Sequence, residues 1–188
     1  MSRPGFRFSH FGMFVSDIAR MEGFYTRLLE FTVTDRGQLP GPKGPMDLVF
    51  LSREPDEHHQ LVLVTGRPKE LPFNPINQIS FKTDRLEDLC AMYRTLVAEG
   101  LPGIAPVTHG NAVSVYLPDP EGNRLELYHD LPWYVSQPVR VPIDLDDEAT
   151  LMQRLEAHAR TLPGFKPREA WRAEMARRMG MAQEEAGQ

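Results

Sequence analysis

The sequence is short of cysteine, of long apolar runs and of clustered positive charge, and each shortage excludes a class of protein. A single cysteine, Cys90, cannot close an internal disulfide, which points to a reducing, cytoplasmic setting. Cys90 falls in a predicted helix, where a small buried hydrophobe is its expected role. No apolar stretch approaches the roughly 20 residues needed to span a bilayer, and residues 1–7 carry no hydrophobic signal region, so no membrane partner is expected. Net charge is −5 without a long basic run, which argues against nucleic acid as a partner. What remains is 188 residues, 41% hydrophobic and 25% charged, enough for one ordinary domain with a core of its own.

The most informative stretch runs from Val107-Thr108-His109 through Val115-Tyr116 to Asp119-Pro120-Glu121-Gly122-Asn123-Arg124-Leu125-Glu126. It sets a histidine, a tyrosine and a carboxylate on adjacent strands joined by an Asp-Pro-x-Gly corner. Residues 124–128 alternate polar and apolar, so Glu126 faces away from Leu125 and Leu127. A glutamate in such a strand is costly unless it is paired or bound to a cation.

A diverged internal repeat organises the chain. The strand-like segment starting at His10 leads into a helix with Phe24, Tyr25, Leu28 and Leu29 on one stripe. The segment starting at Gln78, 68 positions after His10 (78 − 10), leads into a helix carrying Leu89, Tyr93, Leu96 and Val97. Each helix precedes three strand-like segments, near 31–36, 46–52 and 59–65 in the first half and 104–108, 112–117 and 124–129 in the second. The expected fold class is α+β: two paired βαβββ units, 6–66 and 75–130, forming a curved mixed sheet around a cleft. Residues 37–45, with three Gly and three Pro, are expected to form a loop. A C-terminal helical extension, 131–188, should hold one helix from Asp146-Asp147-Glu148 to Leu162-Pro163-Gly164 and another over 167–181, with 183–188 frayed.

The two-βαβββ plan, His10 on the first strand and the Asp-Pro-x-Gly-Asn-Arg-x-Glu turn resemble the vicinal oxygen chelate superfamily. That group includes glyoxalase I, fosfomycin resistance proteins, methylmalonyl-CoA epimerase and type I extradiol dioxygenases. The resemblance covers residues 6–130. Within the group, residues 107–126 look most like the extradiol signature of a His, an aliphatic-Tyr pair, Asp-Pro, a Gly and a Glu. The size and the Leu131-Pro132-Trp133-Tyr134 segment resemble single-module 2,3-dihydroxybiphenyl dioxygenase-like members. The resemblance implies a ring-cleaving dioxygenase acting on a catechol-type aromatic and O₂, with Fe(II) as metal and Mn(II), Zn(II) or Ni(II) as alternatives. It implies a metal set of His10, Gln78 and Glu126, His109 as the acid–base residue and Tyr116 as a donor to the substrate oxygen. His58, His59 and Gln60 are further cleft candidates, and Trp133 and Tyr134 are candidates for substrate contact. A homodimer is expected, since the family often pairs modules.

One departure bears on all of this. The second histidine of the extradiol trio is replaced by Gln78, a neutral and weaker ligand, and the fourth superfamily slot falls on Val62, which cannot coordinate. Two other activities therefore stand beside ring cleavage. One is a metal-dependent isomerase or epimerase of glyoxalase type. The other is a metal-free small-molecule binding protein of bleomycin-resistance type. One scaffold hosts all three.

Overall fold

The computed structural model describes residues 8–42, 44–68, 70, 73–74 and 76–180. The expected fraying at 183–188 lies outside these. The chain divides into two compact units, Met1–Asn77 with Asp119–Asn123, and Gln78–Pro118 with Arg124–Gln188.

The first unit runs β1 (Phe11–Val15), α1 (Ile18–Arg27), β2 (Thr32–Gly41), β3 (Gly44–Ser52) and β4 (Leu61–Thr65), with sheet order β1-β4-β3-β2. β1 pairs parallel with β4 and the other pairs are antiparallel. Asp17 caps α1, its side chain accepting from the Arg20 amide at 2.9 Å. The expected stripe of Phe24, Tyr25, Leu28 and Leu29 is buried. The Asp119–Asn123 turn completes this unit. Glu121 Oε1 accepts from the amides of Ser16 and Asp17 and from the Ser16 hydroxyl, at 2.7, 2.8 and 3.0 Å. This sets a carboxylate against the first turn of α1, where the helix dipole favours it. Tyr25 donates to Asp119 Oδ2 at 3.2 Å, and Arg67 and Asn74 both donate to Asn123 Oδ1 at 2.9 Å.

The second unit repeats the plan with β5 (Ile79–Lys82), α2 (Leu86–Ala98), β6 (Ala105–Thr108), β7 (Ala112–Pro118) and β8 (Arg124–Asp130). Its sheet order is β10-β6-β7-β8-β5, β10 (Val141–Pro142) being an added edge strand. β5 pairs parallel with β8 as β1 does with β4. The sequence repeat is thus a structural one. Ile79, Val113, Val115, Leu117, Leu125 and Leu127 are buried on one face of this sheet, and Leu89, Cys90 and Leu96 are the buried positions of α2. Cys90 is a buried free thiol, as expected, and burial raises its pKa.

The C-terminal segment holds β9 (Trp133–Tyr134), α3 (Glu148–Ala159), β11 (Lys166–Pro167) and α4 (Arg168–Arg178), so both predicted tail helices are present. Leu151, Leu155 and Ala159 are the buried positions of α3. Among the described residues no helix is long and apolar enough to cross a membrane.

Two local expectations are corrected. Residues 37–45 are not a loop: β2 and β3 pair continuously to Gly41↔Gly44. Pro40 is tolerated there because β2 is an edge strand, where an amide donor is not required on the outer side. His10 does not open the first strand; it immediately precedes Phe11, at the start of β1.

Gly110 links β6 to β7 with φ +76. A Cβ there would sit 2.5 Å from Val135 Cγ2 and 2.8 Å from Leu162 Cδ1, so both space and backbone require glycine. Gly110→Ala is expected to lower stability by about 2 kcal/mol or more, read as a drop in thermal midpoint; an unchanged midpoint would show that the segment can relax.

Candidate functional site

One carboxylate dominates the second unit. Glu126 lies in the centre of β8 and is 7% exposed. Cross-strand register brings its neighbours to it: Tyr116 on β7 and Ser80 on β5 both stand directly opposite. Residues two apart on a strand share a face, which adds Ser114 and Gln78. Oε1 accepts from the Ser114 hydroxyl at 2.8 Å and from the Tyr116 hydroxyl at 2.7 Å. Oε2 accepts from the Ser80 hydroxyl at 2.6 Å and from the Gln78 amide nitrogen at 2.9 Å.

His109 completes the array. It follows β6, two residues beyond Val107, and so shares the face of Tyr116. Its Nδ1–H donates to the Val139 carbonyl at 2.6 Å. Its Nε2 lies 3.1 Å from the Tyr116 oxygen and 3.5 Å from Glu126 Oε1. The single Tyr116 proton is committed to Glu126, so the short contact to Nε2 is satisfied when Nε2 carries a proton too. The geometry thus favours the imidazolium. Gln137 anchors the Val139 loop, its amide donating to the His109 carbonyl at 2.8 Å while its oxygen accepts from the Val139 amide at 3.0 Å.

Titration follows from this wiring. Burial pushes the Glu126 carboxyl up, but hydrogen bonds from His109, Ser80, Tyr116 and Ser114 outweigh it and hold the group at about 2. The hydrogen bond to Glu126 raises the His109 pKa, burial opposes it, and the Val139 carbonyl adds to it. Burial, then the hydrogen bond to Glu126, pushes the Tyr116 phenol up to about 12. Two guanidiniums stand over the same ring, Arg124 Cζ at 4.2 Å and Arg140 Cζ at 5.1 Å from its centroid.

The other sequence candidates fall elsewhere. His10, His58, His59 and Gln60 gather in the first unit, the last three in the turn before β4 rather than on it. His10 and His59 have ring centroids 4.2 Å apart, and His58 Nδ1 lies 2.9 Å from His59 Nδ1. Burial, with His10 and His58 beside it, lowers the His59 pKa. Gln60 accepts from the Arg53 amide at 3.0 Å. Trp133 is buried, its indole N–H donating to the Gly110 carbonyl at 2.6 Å, and Tyr134 stacks on Trp171 at 5.2 Å. Packing of the C-terminal segment therefore uses the two aromatics expected at the substrate.

Ser80, Ser114, Arg124 and Arg140 were not singled out from the sequence. The first three share strand parity with Gln78, Tyr116 and Glu126, which is a legible signal. Arg140 sits in an irregular segment and carries none.

Of the metal set implied by sequence, His10 belongs to the first unit and Gln78 and Glu126 to the second. Within the second unit the arrangement does not fit a cation. Each carboxylate oxygen already accepts two hydrogen bonds, and Gln78 turns its nitrogen, not its oxygen, toward Glu126. Among the described residues no group of three or more His, Cys, Asp or Glu is placed to hold a metal ion.

A model of the Glyoxalase/Bleomycin resistance protein/Dioxygenase superfamily matches residues 7–127. The chain is 29% identical over 156 residues to biphenyl-2,3-diol 1,2-dioxygenase 2 of Rhodococcus globerulus, covering 73% of this chain and 77% of that one. It is 33% identical over 88 residues to biphenyl-2,3-diol 1,2-dioxygenase 3 of the same organism, covering 44% and 46%. The solved glyoxylase/bleomycin resistance protein/dioxygenase domain from Frankia sp. EAN1pec shares the fold, with a TM-score of 0.56 at 19% identity over 69% of this chain and all of that one.

The linked carboxylate and imidazole set a pH window. Glu126, depressed from 4.5 to about 2, contributes stability above pH 4.5 that is lost as pH falls toward 2. The shift corresponds to about 3 kcal/mol. His109, raised above 6.5, contributes below that pH and loses its contribution as pH rises through the raised value. Thermal midpoints of the wild type should therefore be highest between these limits. Glu126→Gln should flatten both flanks, and a variant profile parallel to the wild type would refute the coupling.

Proposed function

Because the chain belongs to the Glyoxalase/Bleomycin resistance protein/Dioxygenase superfamily, we propose that it acts on a catechol-type aromatic, with Glu126, Tyr116 and His109 reading a ring hydroxyl. One observation carries this: a proton-loaded imidazole, anchored at Nδ1 by a backbone carbonyl, presents Nε2–H beside a tyrosine whose own proton is fixed on a buried carboxylate. A ring-hydroxyl oxygen that takes the place of the Tyr116 oxygen at Nε2 finds a charged donor in a half-buried setting, where such bonds are strongest. With both ring nitrogens protonated, His109 acts as donor and acid toward the ring oxygen, and Glu126 keeps the imidazole charged. Ser80, Ser114 and Gln78 fix the carboxylate so that it stays aimed at this pair. The aromatic-diol assignment draws on the names of the two Rhodococcus relatives.

Dioxygenation of biphenyl-2,3-diol is the reaction those relatives are named for. Here it would require Fe(II) and the release of the hydrogen bonds that Glu126 accepts. The saturated carboxylate favours a second reading, in which the chain binds the aromatic and transfers a proton without metal or oxygen.

Titration calorimetry with catechol at neutral pH is expected to show binding. In His109→Gln it should weaken about tenfold or more, the worth of one charge-assisted hydrogen bond. Affinity should also fall as pH rises through the raised His109 pKa. Oxygen uptake and a yellow ring-opened product from 2,3-dihydroxybiphenyl after Fe(II) loading would establish cleavage. Binding without uptake would establish the second reading, and no binding to any catechol would overturn both.

A further inference from the structure

Tyr116 has more positive charge around it than the site needs. Arg124 and Arg140 lie against its ring, with Cζ atoms 4.2 and 5.1 Å from the Tyr116 ring centroid. Among the described residues neither guanidinium makes an ion pair or a side-chain hydrogen bond. A contact with the ring face leaves the five in-plane N–H donors of each guanidinium free. The surplus is local, because the chain as a whole carries −5. Arg124 shares the face of Glu126 on β8, and Arg140 directly follows Val139, whose carbonyl fixes the His109 ring. Both are thus tied by short backbone paths to the groups that read the hydroxyl.

We propose that Arg124 and Arg140, both set against the Tyr116 ring, supply an anion subsite, so that the aromatic taken here carries a carboxylate as well as ring hydroxyls. The inference rests on the hydroxyl-reading site described above. Guanidinium suits the task, since its planar fork matches the two oxygens of a carboxylate. A ring that anchors its hydroxyl at His109 and its carboxylate at the arginines is held at two points and so is oriented as well as bound. A neutral catechol lacks the second anchor. The ligand class that fits is a dihydroxybenzoate or a related hydroxylated aromatic acid.

The test is calorimetric titration of the full chain with catechol, 3,4-dihydroxybenzoate and benzoate at low ionic strength and in roughly 0.5 M NaCl. At low salt 3,4-dihydroxybenzoate is expected to bind about fivefold to tenfold more tightly than catechol, the worth of a partly exposed charge pair. The ratio should fall toward one in Arg140→Gln and Arg124→Gln and in high salt, while Arg140→Lys retains most of it. Equal affinity for catechol and 3,4-dihydroxybenzoate, or a preference that survives both glutamine variants, overturns the anion subsite and leaves the hydroxyl reading standing. Equal affinity for benzoate and 3,4-dihydroxybenzoate with no catechol binding does the reverse. Failure of all three ligands overturns both.

Discussion

A carboxylate buried in the middle of a β-sheet has to be surrounded by protons, and that requirement organises the second unit. Left alone in an apolar setting, Glu126 would be neutralised or would destabilise the fold by several kcal/mol. It is instead met by a hydroxyl from each flanking strand, by a second hydroxyl on β7, by the Gln78 amide and by the charge of His109. The position of each follows from strand register. Once the strands are paired, the polar face converges on one point and the opposite face is left to Val113, Val115, Leu117, Leu125 and Leu127. The chemistry of the site and the pairing of the sheet are consequences of the same alignment.

The repeat shows how two units of one plan have diverged. In the first, Val62 stands opposite Gly12 across the parallel β1–β4 pair; in the second, Glu126 stands opposite Ser80 across β5–β8. The apolar residue needs no donors, and Gly12 and Phe50, which stand directly opposite it, offer no side-chain donor. A lone Val62→Glu change would bury a charge without partners.

Much of this was legible in the sequence because it depends on period and spacing. The alternation of residues 124–128 placed Glu126 opposite Leu125 and Leu127, and the apolar stripe of α1 came out buried as read. The matching positions in the two halves gave the βαβββ repeat, which the equivalent order of the four repeat strands in each sheet bears out. What failed to show was contextual. Proline and glycine at 37–45 signalled a loop, yet an edge strand tolerates them. Trp133 and Tyr134 looked available for a ligand until the partners supplied by the C-terminal segment, Phe165 and Trp171, were in place. Arg140 lies in an irregular stretch with no period to read, so only three-dimensional proximity connects it to Tyr116.

The Asp119–Asn123 turn has a bearing on how the protein is made. Its residues complete the first unit, although they follow Tyr25, the buried tyrosine they satisfy, by 94 positions. A ribosome delivers the chain in order, so the start of α1 waits for Glu121 and the Tyr25 hydroxyl waits for Asp119 until most of the second repeat has been synthesised. The first repeat is therefore without these contacts during most of the chain's synthesis, and loop-closure entropy makes such late contacts slow to form. Gene fragments ending between the two repeats would yield a nascent chain without the Glu121 contacts to the start of α1 and without the Asp119 contact to Tyr25, a ready client for chaperones.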